Sequence, residues 1–329
     1  MKNDLFDGLK AKIAGKNLKI VFPEGIEPRI IGAAHRLQTE ELVTPILLGN
    51  VEEISATLRS RGLQSSLFTV IDPADYDQFD EMVNAFVERR VGKVTEEQAR
   101  DILLDVNYFG TMLVYMGLAD GLVSGAVHST ADTVRPALQI IKTKPGVSRT
   151  SGAFLMVRAY GKEKYIFSDC AINIKPGAQE LAEIAIDSAA TAALFDIEPR
   201  VAMLSFSTNG SGASEDVTKV VEATKIAKDL RPDLKIDGEM QFDTAFVPEV
   251  GRLKFPNSSV AGNASVFVFP DLQSGNIGYK IAQRLGNFEA IGPILQGLNK
   301  PVSDLSRGSN EEDVYKLSII TAAQTLMND

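Results

Sequence analysis

Ser306, Arg307 and Asp313 stand close together in the run Ser306-Arg307-Gly308-Ser309-Asn310-Glu311-Glu312-Asp313, just ahead of an apolar helical stretch. A hydroxyl and a guanidinium beside a helix start can hold a phosphoryl oxyanion, because a helix N-terminus offers unpaired N–H groups to anions. A carboxylate in the same segment can handle a proton. That is the equipment of acyl or phosphoryl transfer without a metal. A structural reading competes with it. Ser309 followed three residues later by Glu312 spells a capping box, and acids in a first helical turn suit the helix dipole. Capping leaves Ser306-Arg307-Gly308 unexplained.

A second segment, Gly121-Leu122-Val123-Ser124-Gly125-Ala126-Val127-His128-Ser129-Thr130, reads as a strand running into a glycine- and hydroxyl-rich turn, with a helix from about Thr130. In an open α/β sheet ligands lie beyond the carboxyl ends of strands. Free backbone N–H groups there, with the Ser129 and Thr130 hydroxyls, would cradle a phosphate; alternatively Ser129 or Thr130 caps the helix. Arg135 lies about one turn further in, where it reaches the same pocket or pairs on the surface. A third strand-to-helix turn, Ser207-Thr208-Asn209-Gly210-Ser211-Gly212, half-matches a dinucleotide fingerprint, but Glu215 occupies the third glycine position, so it reads first as a tight turn. Arg89-Arg90 close an amphipathic helix, His128 reads as a hydrogen-bonded loop residue, and Cys170 as a buried small hydrophobe.

The elements that must position these residues follow from periodicity. Strand-like runs over Leu18–Phe22, 42–49 and 121–124 alternate with helical patterns over 27–41, 51–61, 74–89, 96–104 and 108–117. The order indicates an α/β layered fold with a largely parallel sheet. Further on, 152–159 and 164–168 form a hairpin about Gly161-Lys162-Glu163, followed by helix 177–194, strand 201–206, helix 213–229, strand 265–269, helix 272–285 and a last helix over 313–327. The pattern breaks at Lys144-Pro145-Gly146. The domains expected are 1–146 plus 298–329, and 147–297, with the last helix returning to the first domain across a cleft.

Composition narrows the class. The 329 residues are 44% hydrophobic and 23% charged, as in an ordinary soluble enzyme. A net charge of -9 repels polyanions at long range, so nucleic acid is not the expected partner. One cysteine and two histidines exclude internal disulfides and make zinc unfavourable. No apolar run approaches the ~18 residues of a membrane span, and Met1-Lys2-Asn3-Asp4 lacks a signal-peptide pattern. The expected location is cytoplasmic.

Taken together, Pro23-Glu24-Gly25, Asp120–Ala126, Ser129–Ala137, Lys142–Val147, Gly292–Gln296-Gly297 and Ser306-Arg307-Gly308 resemble the phosphate acetyltransferase (phosphotransacetylase) family, which includes phosphate butyryltransferases. The resemblance runs from the first strand to the last helix, and the length matches the short, single-activity form. It implies two three-layer αβα domains separated by a cleft, as in isocitrate and isopropylmalate dehydrogenases, and a homodimer, with dimerisation expected through 147–297. The implied reaction is reversible acetyl transfer between acetyl-CoA and phosphate, giving acetyl phosphate and CoA, in a ternary complex. CoA is then a substrate, and no cofactor or metal is implied. By motif, Asp313 matches the base for the CoA thiol, Arg307 the arginine on the phosphoryl group, and Ser306 the assisting hydroxyl. Arg135 matches a substrate-binding arginine. Arg89 matches one near the CoA phosphates, with Arg90 adjacent as its alternative. Ser309 stands where some relatives carry a cysteine, so no thiol chemistry is implied there.

The mechanism carries a cost. With ordinary pKa values, passing a proton from a thiol to an aspartate is uphill by about 6 kcal/mol. The site must raise the acid, lower the thiol, or couple deprotonation to attack. Glu311 and Glu312 would push an adjacent carboxyl up, while Arg307 and the helix N-terminus would pull it down. Three rivals remain. A phosphate butyryltransferase differs only in acyl-pocket volume; an NAD-dependent decarboxylating dehydrogenase would need a metal-binding carboxylate cluster and an adenine loop, neither identifiable here; a non-catalytic CoA-binding module would have no use for Ser306, Arg307 and Asp313 together.

Overall fold

Short parallel strands, buried at the centre of their sheet, build the half of the protein that carries the candidate residues. The computed structural model describes residues 6–159 and 161–327; the Met1–Asp4 reading lies outside them. In chain order the strands are β1 (Lys19–Phe22), β2 (Thr44–Leu48), β3 (Thr69–Ile71), β4 (Gly121–Ser124), β5 (Ser151–Arg158), β6 (Glu163–Ser168), β7 (Arg200–Leu204), β8 (Lys235–Met240), β9 (Val266–Val268), β10 (Glu289–Gln296) and β11 (Val302–Asp304). Contacts divide the chain into two compact units. One comprises Phe6–Thr143 with the segment from Leu298 onward; the other is Lys144–Gly297. The sequence boundary had put 144–146 with the first unit; their contacts place them in the second.

The first unit holds a sheet in the order β11-β4-β1-β2-β3, parallel throughout. Ile20, Val21 and Phe22 of β1 and Leu122 and Val123 of β4 are fully buried, as expected of strands covered on both faces. Side-chain caps start several of the crossover helices: Glu27 before Pro28–Thr39, Asn50 before Val51–Ser60, Asp105 before Val106–Tyr115. The Glu311–Thr325 helix is buried along most of its length, including Val314, Tyr315, Leu317, Ile319 and Ile320. It lies close against Pro28–Thr39, where a Cβ on Gly32 would collide with the Glu311 carboxylate. From β1 the chain runs to β2 and β3 on one side, while β4 and β11 lie on the other. The carboxyl ends of β1 and β4 therefore form the topological switch point, where α/β sheets bind ligands.

The second unit departs from a parallel arrangement. Its order is β10-β5-β6-β9-β7-β8, with β10–β5 and β5–β6 antiparallel and the remaining pairs parallel. The hairpin forms as expected, with Arg158 opposite Glu163. Strand β10 escapes a periodicity reading because Gly292 and Pro293 interrupt it. The register shifts between Ile291 and Ile294, and an edge strand tolerates proline at such a bulge. Strands β3, β8 and β11 are likewise absent from the sequence pattern. The first and last of these are three residues long, and Asp237, Gly238 and Glu239 break the apolar run of β8.

Candidate active site

Strand β11 is what brings the two candidate segments together. Asp304 pairs with Ser124, and Leu305 N donates to Ser124 O at 2.7 Å. The chain after β11 therefore leaves the sheet beside the turn that follows β4. The approach demands glycine at 125: its φ is +110°, and a Cβ would fall 2.6 Å from Leu305 O.

The 126–128 turn is not open to a phosphate, contrary to the sequence expectation. Glu24, at the carboxyl end of β1 and 3% exposed, fills it. Ala126 N donates to Glu24 Oε2 at 2.8 Å, while Val127 N and His128 N donate to Oε1 at 2.8 and 2.9 Å. His128 Nδ1 lies 2.8 Å from the same oxygen. Burial works to raise the Glu24 pKa, but the bonds from His128 and the three N–H groups outweigh it and hold the carboxyl below its ordinary value. The carboxylate in turn raises the His128 pKa, against partial burial, with Asp105 and Asp132 adding to it. Glu24 was legible only as part of Pro23-Glu24-Gly25, with no role attached.

Ser306, Arg307 and Asp313 are exposed. Ser306 Oγ accepts from Gly308 N at 3.2 Å. The helix cap sits one residue later than the Ser309–Glu312 box. Asn310 Oδ1 accepts from Asp313 N at 3.0 Å, and Asp313 Oδ2 accepts from Asn310 N at 2.9 Å. Asp313 thus fills the acidic place of the box itself, leaving Oδ1 outside that pair of bonds. Glu312 instead pairs with Arg36 at 2.5 Å and Glu311 with Arg61 at 3.1 Å. Arginines from elsewhere in the fold offset both charges that were expected to bear on Asp313.

Ser129 and Thr130 separate in role. Ser129 caps the Thr130–Pro136 helix: its Oγ donates to Asp132 Oδ2 at 2.7 Å and accepts from Asp132 N at 3.3 Å. Thr130, at the first helical position, is exposed. Behind it lies Asp304, 3% exposed. Burial pushes the Asp304 carboxyl up to about 6, the neighbouring Thr130 and Thr133 hydroxyls oppose this, and Glu24 adds to it. Ser124 Oγ is buried beside them without a hydrogen-bond partner. Arg135 is exposed and, with Arg90, lies near enough to Tyr108 to favour its ionised form, although burial dominates and raises that pKa. Arg89 is turned inward. Its Nε donates to Ile140 O at 2.6 Å, its Nη2 to Ile141 O at 3.3 Å, and its guanidinium lies 4.9 Å from the Tyr115 ring centre.

In the second unit the 207–212 turn is closed on itself. Ser207 Oγ donates to Glu239 Oε1 at 2.7 Å, Gly210 N donates to the same oxygen at 2.9 Å, and Gly212 N donates to Ser207 Oγ at 2.9 Å. Cys170 is fully buried in an aromatic cluster with Phe154, Phe167 and Phe267, and burial raises its thiol pKa well above the ordinary value.

A family model described as Phosphate acetyl/butaryl transferase matches residues 4–322. The chain belongs to this family. Phosphate acetyltransferase from Bacillus subtilis (strain 168) is 63% identical over 98% of this chain and 99% of its own length. Among solved structures, a phosphotransacetylase from Streptococcus pyogenes aligns with a TM-score of 0.96 at 66% identity, covering 98% of each chain. The EutD phosphotransacetylase from Staphylococcus aureus aligns at 0.94 and 58%, covering 98% of this chain and 99% of that one. The protein is an acyltransferase of the phosphate acetyl/butaryl transferase family with the two-unit α/β fold expected of it, and the rival dehydrogenase reading falls away.

Among the described residues no group of three or more His, Cys, Asp or Glu could hold a metal ion, and no helix is long and apolar enough to cross a membrane. Ser306 and Arg307 lie in the segment after β11 and Asp313 in the first turn of the helix that follows it, all three exposed.

Proposed function

We propose that this acyltransferase moves an acetyl group reversibly between coenzyme A and inorganic phosphate in a ternary complex, with Asp313 as the base. Toward acetyl-CoA, Asp313 takes the thiol proton of CoA. The thiolate sulfur attacks the carbonyl carbon of acetyl phosphate, the C–S bond forms, the C–O bond breaks and phosphate leaves. In the other direction a phosphate oxygen attacks the thioester and Asp313 returns its proton to the departing thiolate. Arg307 offers a planar fork to the phosphoryl oxygens and stabilises charge that builds on them, assisted by the Ser306 hydroxyl. Arg135 and Thr130 bind substrate from the neighbouring loop. Ser129 supports them by capping their helix. Arg89 donates to the 140–141 carbonyls, which leaves the adjacent Arg90 as the alternative partner for CoA phosphates.

The observation that carries this reading is the pairing of β11 with β4, which sets the exposed Ser306-Arg307 segment beside the 125–130 turn. The test is phosphate-dependent thiol release from acetyl-CoA beside butyryl-CoA, with and without a chelator, in the unaltered chain and in Asp313→Asn. Rapid phosphate-dependent release, faster for acetyl, insensitive to chelator and lost in the variant, is the expected result. Preference for butyryl would move the protein to the sister activity, and CoA binding without release would overturn the reading.

Cytoplasmic residence and a homodimer formed through the Lys144–Gly297 unit belong to the same proposal. The Leu272–Leu285 helix supports the dimer. It packs inward through Gly275 and Gly278 while Ile277, Ile281 and Leu285 stand 56%, 53% and 80% exposed, an i, i+4, i+8 apolar stripe of the kind a second copy covers. Light scattering at twice the chain mass, falling to one in an Ile277→Asp/Ile281→Asp variant, is the expected outcome.

A further inference from the structure

Arg29 touches more of the candidate site than any sequence pattern indicates. Its Nη1 donates to Arg307 O at 3.0 Å and to Ser309 O at 2.6 Å, and its Nη2 donates to Ala126 O at 2.9 Å. Its Nε donates to Glu27 Oε1 at 2.7 Å, and Glu27 is the N-cap of the helix that carries Arg29. The side chain is thereby anchored to a rigid element at one end and to both site loops at the other.

The three carbonyls share a further property. Each belongs to a peptide unit whose N–H donates to a side chain of the site. The 126–127 peptide donates through Val127 N to Glu24. The 307–308 peptide donates through Gly308 N to Ser306 Oγ, and the 309–310 peptide through Asn310 N to Asp313 Oδ2. A cation on a carbonyl polarises the peptide and strengthens the bond its N–H makes, because linked hydrogen bonds reinforce one another. The ion pair with Glu27 does not by itself require three carbonyl acceptors from two loops.

We propose that Arg29 is a positioning residue of the transfer reaction: by binding the carbonyls of Ala126, Arg307 and Ser309 it sets the spacing of the two loops and aims Ser306 and Asp313. This rests on the reading of Asp313 and Ser306 given above. Arginine is required because one planar fork spans three acceptors; a lysine ammonium has the donors without the fixed geometry.

The test is steady-state kinetics on the full chain for Arg29→Ala, Arg29→Lys, Arg61→Ala and Asp313→Asn, each with and without added ethylguanidinium. Arg29→Ala is expected to lose about 100-fold in kcat, the scale of a misplaced catalytic group, with KM for acetyl-CoA and phosphate nearly unchanged. Ethylguanidinium should restore part of that kcat saturably, Arg29→Lys should fall between, and Arg61→Ala should show no rescue. Normal turnover in Arg29→Ala beside an inactive Asp313→Asn overturns this proposal alone. Loss in Arg29→Ala with lowered thermal stability and no rescue by guanidinium or lysine assigns Arg29 to folding and also overturns it. If the alanine variant does not fold, a lysine variant with unaltered kcat does the same. Full turnover in Asp313→Asn overturns the site reading on which the proposal stands.

Discussion

Glu24 Oε1 lies 2.8 Å from His128 Nδ1, and the same carboxylate collects the N–H groups of Ala126, Val127 and His128. A turn that reads as an anion cradle already contains its anion, supplied by the end of the adjacent strand. On the proposed reading, phosphate is then met by side chains, which concentrates the demand on Arg307 and Arg135.

Glu24→Gln should destabilise the protein. A glutamine has one acceptor oxygen and presents its NH2 group to donors, leaving buried N–H groups unpaired at about 1–3 kcal/mol each. Urea unfolding should show a clear fall in midpoint. An unchanged midpoint would mean that the turn does not depend on the carboxylate.

The Glu24–His128 pair makes part of this stability pH-dependent. The His128 pKa is raised above 6.5, chiefly by the Glu24 hydrogen bond. Its contribution is therefore complete below the unfolded value and disappears as pH rises through the folded one. The melting-temperature gap between the native chain and His128→Asn should be widest near pH 6 and shrink toward pH 9. A gap that widens with pH would contradict the assignment.

Asp304 also loses stability as pH rises, in a lower window, but through burial of its own charge rather than through a partner. Its folded pKa of about 6 exceeds the ordinary 3.8, so the folded state prefers the protonated acid. Stability is complete below pH 3.8 and is lost as pH rises from there to about 6. The loss at neutral pH amounts to about 3 kcal/mol. Asp304→Asn should accordingly melt higher than the native chain at pH 7.5, with the difference closing near pH 4. A lower melting temperature at pH 7.5 would overturn this account.

Arg307→Ala should cost far more turnover than Arg90→Ala. Removing a donor aimed at developing charge typically costs about 100- to 1000-fold in kcat, whereas losing a contact to a remote phosphate chiefly raises KM. Equal, mild losses in both variants would remove Arg307 from the phosphoryl site.

Much of the fold and part of the site were legible in the residues. Helix Leu272–Leu285 and strand β4 have the bounds their patterns predict, because a run of periodic apolar residues between caps and glycines is a local property. The loop-to-helix segment that carries the proposed Ser306, Arg307 and Asp313 was legible for the same reason: residue type and spacing are enough to mark a loop beside a helix start. The true N-cap was harder, since Ser309 and Asn310 each have an acid three residues on and differ only in which backbone geometry the fold imposes.

What the sequence by itself determined was the family and the alternation of strands and helices, and it offered the residues proposed for the chemistry. Only the tertiary structure decided who holds whom. Glu24 enters the 126–128 turn from the end of the neighbouring strand β1, 102 residues before Ala126 in the chain, Arg29 binds carbonyls of Ala126, Arg307 and Ser309, and Arg36 and Arg61 withdraw Glu312 and Glu311. Those contacts join segments far apart in the chain. They exist because β11 inserts beside β4 and the last helix packs onto Pro28–Thr39. The physical reason is one of range: periodicity and capping act within a few residues, whereas the neutralisation of a buried or clustered charge depends on whichever group the packed sheet brings near it.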